Sequence, residues 1–319
     1  VAEIHPEARA AQIDLVLDWA RKAGLQGWNS KDCPTSRETF RAASAIKIVS
    51  PLPDLAQVSD ISLSLRSGKR PARLYQSSLE RDLPTIIYVH GGGYVVGGLV
   101  EADAECRRLA HSIGANLVSI TYRLAPEYRY PSGIEDVQDA IGAICAGEAG
   151  IPCDRFAVLG VSAGAGLAVA AIRRILDEGG RKPAAAALLS PWLDLTLSLP
   201  SCDLYGTGHF QELSQLLDFR ALYLPDGMTA TARPELAPAR NPLPENWPST
   251  ILLAAELDPL ADDTALFQRR LAEAGIDHQC RYARGHLHGF HTWWQHMPSI
   301  LPDLAWLDSA IASALRGVE

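Results

Sequence analysis

Apolar positions along the chain follow two rhythms in turn. Short runs such as Thr85-Ile86-Ile87-Tyr88-Val89 and Ile251-Leu252-Leu253-Ala254-Ala255 are almost continuously apolar, as strands covered on both faces must be. Longer stretches with helical spacing separate them: roughly Glu101–Ile113, Ile134–Ala146, Ala163–Glu178, Pro259–Ala274 and Ser299–Leu315. The β-rich runs are Val58–Leu65, Pro71–Gln76, Thr85–His90, Asn116–Tyr122, Arg155–Gly160, Ala184–Ser190, Thr250–Ala255 and His278–Ala283. Strand–helix alternation from Thr85 onward predicts βαβ crossovers, hence an α/β fold with a mostly parallel eight-stranded sheet and helices on both faces. The first two runs flank a Ser67-Gly68-Lys69-Arg70 turn and predict an antiparallel hairpin.

Two stretches break the rhythm. Residues 1–45 read as helix, with Pro6 at a helix start and Leu15 and Trp19 on an apolar stripe, followed by a Gly- and Pro-punctuated segment. Residues 197–248 lie between two strands and hold one predicted helix, Glu212–Leu224, then a Pro-rich passage from Pro225 to Pro248. A structureless loop of that length is rare in a compact domain, so the insertion is expected to fold over something. The expected organisation is a helical cap from 1–45 and 197–248 above a catalytic domain from 46–196 and 249–319.

Composition narrows the partners. Among 319 residues, 29 Lys+Arg face 37 Asp+Glu, a net charge of −8, and 47% are hydrophobic. The basic residues are scattered, and doublets such as Arg107-Arg108 and Arg173-Arg174 read as solvated helix faces, which argues against nucleic acid. No apolar run approaches the ~20 residues that span a bilayer. Residues Val1–Ala10 include Glu3, Glu7 and Arg9 and resemble no secretory signal, although the opening Val1 leaves a processed precursor open. The six cysteines are spread without a CxxC pair, so reduced thiols and a cytoplasmic location are expected.

The strongest chemical signal is Gly160-Val161-Ser162-Ala163-Gly164, which fits G-x-S-x-G between the apolar strand Phe156–Leu159 and a long Ala-rich helix. That context is the nucleophile elbow: a sharp turn lifts the serine hydroxyl above the strand's carboxyl end. The competing reading is a tight turn with a plain serine. His90-Gly91-Gly92-Gly93-Tyr94 follows strand Thr85–Val89 and lacks the residues that complete a phosphate loop. Side-chain-free backbone suits N–H groups aimed at an oxyanion, and His90 reads as an anchor of this loop. For the acid, Asp258 stands after an apolar strand, where a plain helix N-cap is the alternative, and Glu256, Asp262 and Asp263 compete; Asp263 most simply complements a helix dipole. His288 lies beyond the last strand, with His286 as the alternative base. The order Ser162, Asp258, His288, at intervals of 96 and 30, is that of α/β-hydrolases.

His-Gly-Gly-Gly at 90–93, Tyr122-Arg123-Leu124-Ala125-Pro126-Glu127, the elbow at 160–164, Ser190-Pro191-Trp192-Leu193-Asp194, Asp258-Pro259-Leu260 and His288-Gly289-Phe290 together resemble the hormone-sensitive-lipase family of carboxylesterases. The resemblance runs in order from about residue 58 onward. It implies an α/β-hydrolase fold, Ser162, Asp258 and His288 as a triad, and Gly92, Gly93 and the Ala163 N–H as the oxyanion hole. It also implies that the two off-rhythm stretches form a cap, and it points to a homodimer through the last strand and helix. Val161 departs from the commonest elbow, which has Asp or Thr there, and Gly164-Ala165-Gly166 replaces two adjacent glycines; neither change removes a catalytic atom.

The implied activity is hydrolysis of short- to medium-chain acyl esters through an acyl-enzyme, with a small-molecule substrate and no cofactor. An amidase, carbamate hydrolase or lactonase would use the same triad. A ligand receptor is a rival of another class: plant gibberellin receptors resemble this family but lack the histidine that stands here at 288. For the substrate pocket, Tyr94, Phe210 and Trp192 are the expected walls, with Trp19, Trp28, Phe40, Tyr205 and Leu213 as further cap residues that could equally be packing. A metal site among His286, His288, His291 and His296 is not expected, because no HExxH-type spacing is present.

Overall fold

The computed structural model describes residues 6–22, 24, 32–80 and 82–317. Two helices, α1 (Pro6–Lys22) and α2 (Cys33–Ile46), precede the hairpin β1 (Gln57–Leu65) and β2 (Gly68–Gln76). There follow β3 (Thr85–Val89), α3 (Leu99–Ile113), β4 (Asn116–Ile120), α4 (Ser132–Cys145), β5 (Phe156–Val161), α5 (Ala163–Asp177) and β6 (Ala185–Leu189). Helices α6 (Pro200–Tyr205) and α7 (Leu213–Tyr223) occupy the insertion, and β7 (Ser249–Leu257), α8 (Ala261–Glu273), β8 (His278–Leu287) and α9 (Leu301–Arg316) complete the chain. One eight-stranded sheet runs β1-β2-β4-β3-β5-β6-β7-β8, with the β1–β2 and β2–β4 pairs antiparallel and every later pair parallel.

The continuous apolar runs of the sequence are the central strands, and alternation within them feeds two cores. Ile87, Val89, Val118 and Val158 face one layer, with α4 and α5; Ile86, Tyr88, Leu117 and Leu159 face the other, with α3 and α9. Each such fully buried aliphatic side chain contributes ~1.5–3 kcal/mol. Strand β8 is longer than expected, running to Leu287. A bulge between Ala255 and Leu257 keeps it in step with β7, so that Leu257 pairs with Leu287. The residue after each, Asp258 and His288, therefore leaves the sheet side by side.

Arg37 ties α2 to the body. Its guanidinium donates to the carbonyls of Val95 and Ala125 at 2.9 Å each and to both oxygens of Glu127. In the insertion the predicted helix is α7, and α6 is an addition that six residues of pattern did not reveal. The Pro-rich part folds back onto the body: Glu235 pairs with Arg174 of α5, and Trp247 is buried. No helix among the described residues is long and apolar enough to cross a membrane. The six cysteines are free thiols, and Cys145 and Cys153 approach to 3.1 Å across the loop between α4 and β5.

Candidate active site

Glycine at 160 and 164 is required by contact. A Cβ on Gly160 would lie 2.5 Å from the Ala165 Cα, and one on Gly164 would lie 2.3 Å from the carbonyl oxygens of Val89 and His90. With both bare, β5 turns into α5 through Ser162 at φ 51°, ψ −121°, a conformation that non-glycine residues rarely adopt. The turn is pinned by Ser162 N–H to Leu189 O at 2.9 Å and by Trp192 N–H to Ser162 O at 3.1 Å.

Ser162 Oγ lies 3.0 Å from His288 Nε2, and His288 Nδ1 lies 2.6 Å from Asp258 Oδ2, with all three residues buried. Because an ionised carboxylate only accepts, Nδ1 carries the proton, and the lone pair of Nε2 receives the serine hydroxyl. Asp258 is not the N-cap of the alternative reading, a position that Leu260 holds without a side-chain bond, but its Oδ1 accepts the Leu260 N–H at 2.9 Å and fastens the turn that leads into α8. The competitors face elsewhere. Glu256 accepts from Arg284 and the Gly285 N–H. Asp263 stands in the first turn of α8, where it was expected, and is also buried and accepts the N–H groups of Leu193 and Asp194 at 2.7 and 2.8 Å. Burial raises its carboxyl well above the ordinary value, partly offset by those bonds. His286 stacks on Phe290 and does not line the cavity that contains Ser162.

The triple-glycine loop lies against the elbow. A Cβ on Gly92 (φ 122°) would meet the Val96 carbonyl oxygen at 2.1 Å, and one on Gly93 (φ 58°) would meet the Phe219 ring at 2.2 Å. Gly92 O accepts the N–H groups of Val95 and Val96, whereas the amides of Gly92, Gly93 and Ala163 have no protein acceptor among the described residues. His90 holds the loop as expected: its ring stacks on Tyr122 at 4.3 Å, and burial lowers its pKa, keeping the imidazole neutral.

The cavity over Ser162 has a volume of about 150 Å³. Trp19, Phe40, Phe210 and Phe219 supply aromatic wall, and Gln211 and Gln215 add polar wall. Tyr94 and Trp192, expected as substrate contacts, do not line it. They pack behind the elbow, where the Tyr94 hydroxyl and the Trp192 carbonyl would crowd any Cβ on Gly166 (2.9 and 2.7 Å), and Trp192 Nε1 donates to Asp194 O. Tyr205 and Leu213 are likewise absent from the lining, and Trp28 lies outside the described residues. Neither Phe219 nor the glutamines belong to any motif, so only the fold could reveal them.

A sequence profile of the α/β-hydrolase fold matches residues 86–292. The ethyl acetate hydrolase of Pseudomonas putida is 31% identical over 294 residues, covering 88% of this chain and 90% of that protein. Among solved structures, a hyperthermophilic esterase from the archaeon Pyrobaculum calidifontis superposes with a TM-score of 0.83 at 29% identity, over 88% of this chain and 93% of that one. An esterase of the bacterial hormone-sensitive lipase family superposes with a TM-score of 0.84 at 25% identity, over 99% and 100%. The chain belongs to the hormone-sensitive-lipase family of α/β-hydrolases. It is a carboxylic ester hydrolase.

The hydrolase's cavity has a charged side that the motifs do not mention. Lys47, at the end of α2, donates to Thr292 Oγ1 at 2.9 Å and rests over the rings of Trp19 and Trp293. Burial pulls its ammonium down to about 8, against the attraction of Glu105. Burial also opposes the charge of Glu105, but His291, Arg108 and the Tyr88 hydroxyl outweigh it and hold that carboxyl below the usual range. Three of the histidines beyond β7 have separate polar partners: His291 pairs with Glu105, His296 with the Lys47 carbonyl, and His288 with Asp258.

Proposed function

We propose that the hydrolase cleaves short-chain acyl esters through an acyl-enzyme, with Ser162 as nucleophile, His288 as general base and acid, and Asp258 as the group that orients the imidazole. The observation that carries this reading is the continuous hydrogen-bonded line from Ser162 Oγ through His288 to Asp258, at 3.0 and 2.6 Å, opening into one cavity. As Ser162 Oγ attacks the ester carbonyl, its proton passes to His288 Nε2, and Asp258 stabilises the resulting imidazolium. The developing oxyanion is received by the uncommitted amides of Gly92, Gly93 and Ala163, each such donor being worth about 3–4 kcal/mol in the transition state. His288 then protonates the departing alcohol, and water repeats the cycle on the acyl-serine.

A small acyl group is favoured because a cavity of this volume admits a ligand of roughly benzene size, and because a 31% identical relative is an ethyl acetate hydrolase. In this reading residues 1–45 and 197–248 act as the cap that excludes water, contributing Trp19, Phe40, Phe210 and Phe219 to the cavity wall. Two copies would pair along β8, an edge of the sheet, and α9. Hydrolysis of a p-nitrophenyl ester series by the native enzyme and by Ser162→Ala tests the reading. The native rate should peak at acetate to butyrate, and Ser162→Ala should lose at least about 10⁴-fold in kcat at unchanged Tm. A variant retaining native turnover would make the elbow merely structural.

A further inference from the structure

The triad mechanism makes no use of the charged side of the cavity, where Lys47, Glu101, Glu105, His291 and Thr292 line the same space as Ser162. Glu105 and His291 are both more than nine-tenths buried. Glu105 Oε2 accepts from the Tyr88 hydroxyl at 3.2 Å and pairs with His291 Nε2 at 3.0 Å. Its other oxygen, Oε1, has no donor, and His291 Nδ1 has no partner among the described residues. Glu101 repeats the pattern, with Arg41 on Oε1 and nothing on Oε2.

Lys47 supplies the complementary half. Its ammonium has three protons, one of which goes to Thr292 Oγ1, while the two tryptophan faces stabilise the charge without consuming a donor. Lys47 and Glu105 attract one another but form no direct ion pair. A cationic donor and unpaired anionic acceptors thus border the cavity that also holds the reacting serine. A substrate carboxylate would be drawn to Lys47 and repelled by Glu105 and Glu101. A substrate ammonium would meet the opposite conflict. A neutral hydroxyl satisfies both sides, accepting from the ammonium and donating to the carboxylate.

We propose that this wall is a hydroxyl-recognition subsite, and that the enzyme prefers esters carrying a hydroxyl group near the scissile bond. The proposal rests on the serine-esterase reading above and adds the substrate class. Buried polar groups left unpaired by an analogue lacking the hydroxyl are what give such sites their discrimination.

The test compares kcat/KM within two matched pairs, ethyl 3-hydroxybutyrate against ethyl butyrate and 2-hydroxyethyl acetate against propyl acetate. Native enzyme, Lys47→Met, Lys47→Arg and Glu105→Gln are assayed, with Tm recorded for each. The native enzyme should favour the hydroxylated member of at least one pair by about tenfold. Lys47→Met and Glu105→Gln should bring that ratio close to one, chiefly through KM, and Lys47→Arg should restore part of it. The ratio is internal to each protein, so partial unfolding of a variant does not imitate the effect. A native ratio at or below one in both pairs overturns the proposal, as does a ratio that survives Lys47→Met. Ser162→Ala separates the two readings: turnover that survives it removes the triad mechanism, while the native ratios still decide the subsite.

Discussion

Two regions meet at the cavity and are built on different principles. The floor comes from the carboxyl ends of β3, β5, β7 and β8, where backbone packs on backbone. Gly160 and Gly164 exist because carbonyls and Cα atoms lie within 3 Å of where a side chain would start, and Asp258 and His288 emerge together because Leu257 pairs with Leu287. The aromatic walls come from α1, α2 and residues 206–219, where ring packs on ring: Trp19 lies 6.2 Å from Phe210 and, toward the body, edge-on to Trp293 at 4.7 Å. Backbone contacts tolerate almost no substitution, whereas ring contacts can be refilled by other shapes. Under the proposed mechanism the floor fixes the reaction, and the walls are left to select the substrate.

The sharpest way to break this contrast is at the acid. Asp258→Asn should cut kcat by about 10⁴-fold, because the amide favours the wrong imidazole tautomer, while Glu256→Gln should stay within about threefold. Steady-state kinetics on both variants checks this, and the reverse order would move the acid to Glu256. A smaller effect is expected where floor and wall touch. In Gly93→Ala the new Cβ would press on the Phe219 ring in a left-handed conformation. We expect about a 10–100-fold loss in kcat/KM, partly recovered when Phe219→Leu is added. Strict additivity in that double-mutant cycle would mean that the loop is not held by the wall. The mildest change should come from the wall alone. Phe210→Ala should leave the best kcat/KM within about tenfold but shift the optimum by one or two acyl carbons, read from the ester chain-length profile.

Legibility in the sequence follows the same division. The floor could be read because backbone crowding allows only glycine at fixed offsets and leaves a local pattern, as at 160–164 and 91–93. The parallel sheet was implicit in βαβ alternation, yet the placing of β4 between β2 and β3 was not, and the extension of β8 to Leu287 was hidden because Arg284, Gly285 and His286 do not look like strand residues. The walls left no such record. Tyr94 and Trp192 sit beside motif residues in sequence but turn behind the elbow to fill the space over Gly166. Phe219 reaches the cavity from a helix 57 positions after the nucleophile, through tertiary packing alone. Lys47, Glu105 and His291 are equally scattered along the chain, and their convergence has no periodicity to announce it.

The double bonding of Asp258 has a consequence for reading relatives whose activity has decayed. One carboxylate oxygen secures the start of α8 and the other holds the imidazole. Selection for folding alone would preserve this aspartate long after the last turnover, so its survival is poor testimony that a descendant is still an enzyme. His288 has no such second employment: among the described residues its ring bonds run only to Asp258 and Ser162. Its loss should be the earliest and most trustworthy mark of a hydrolase that has become a receptor.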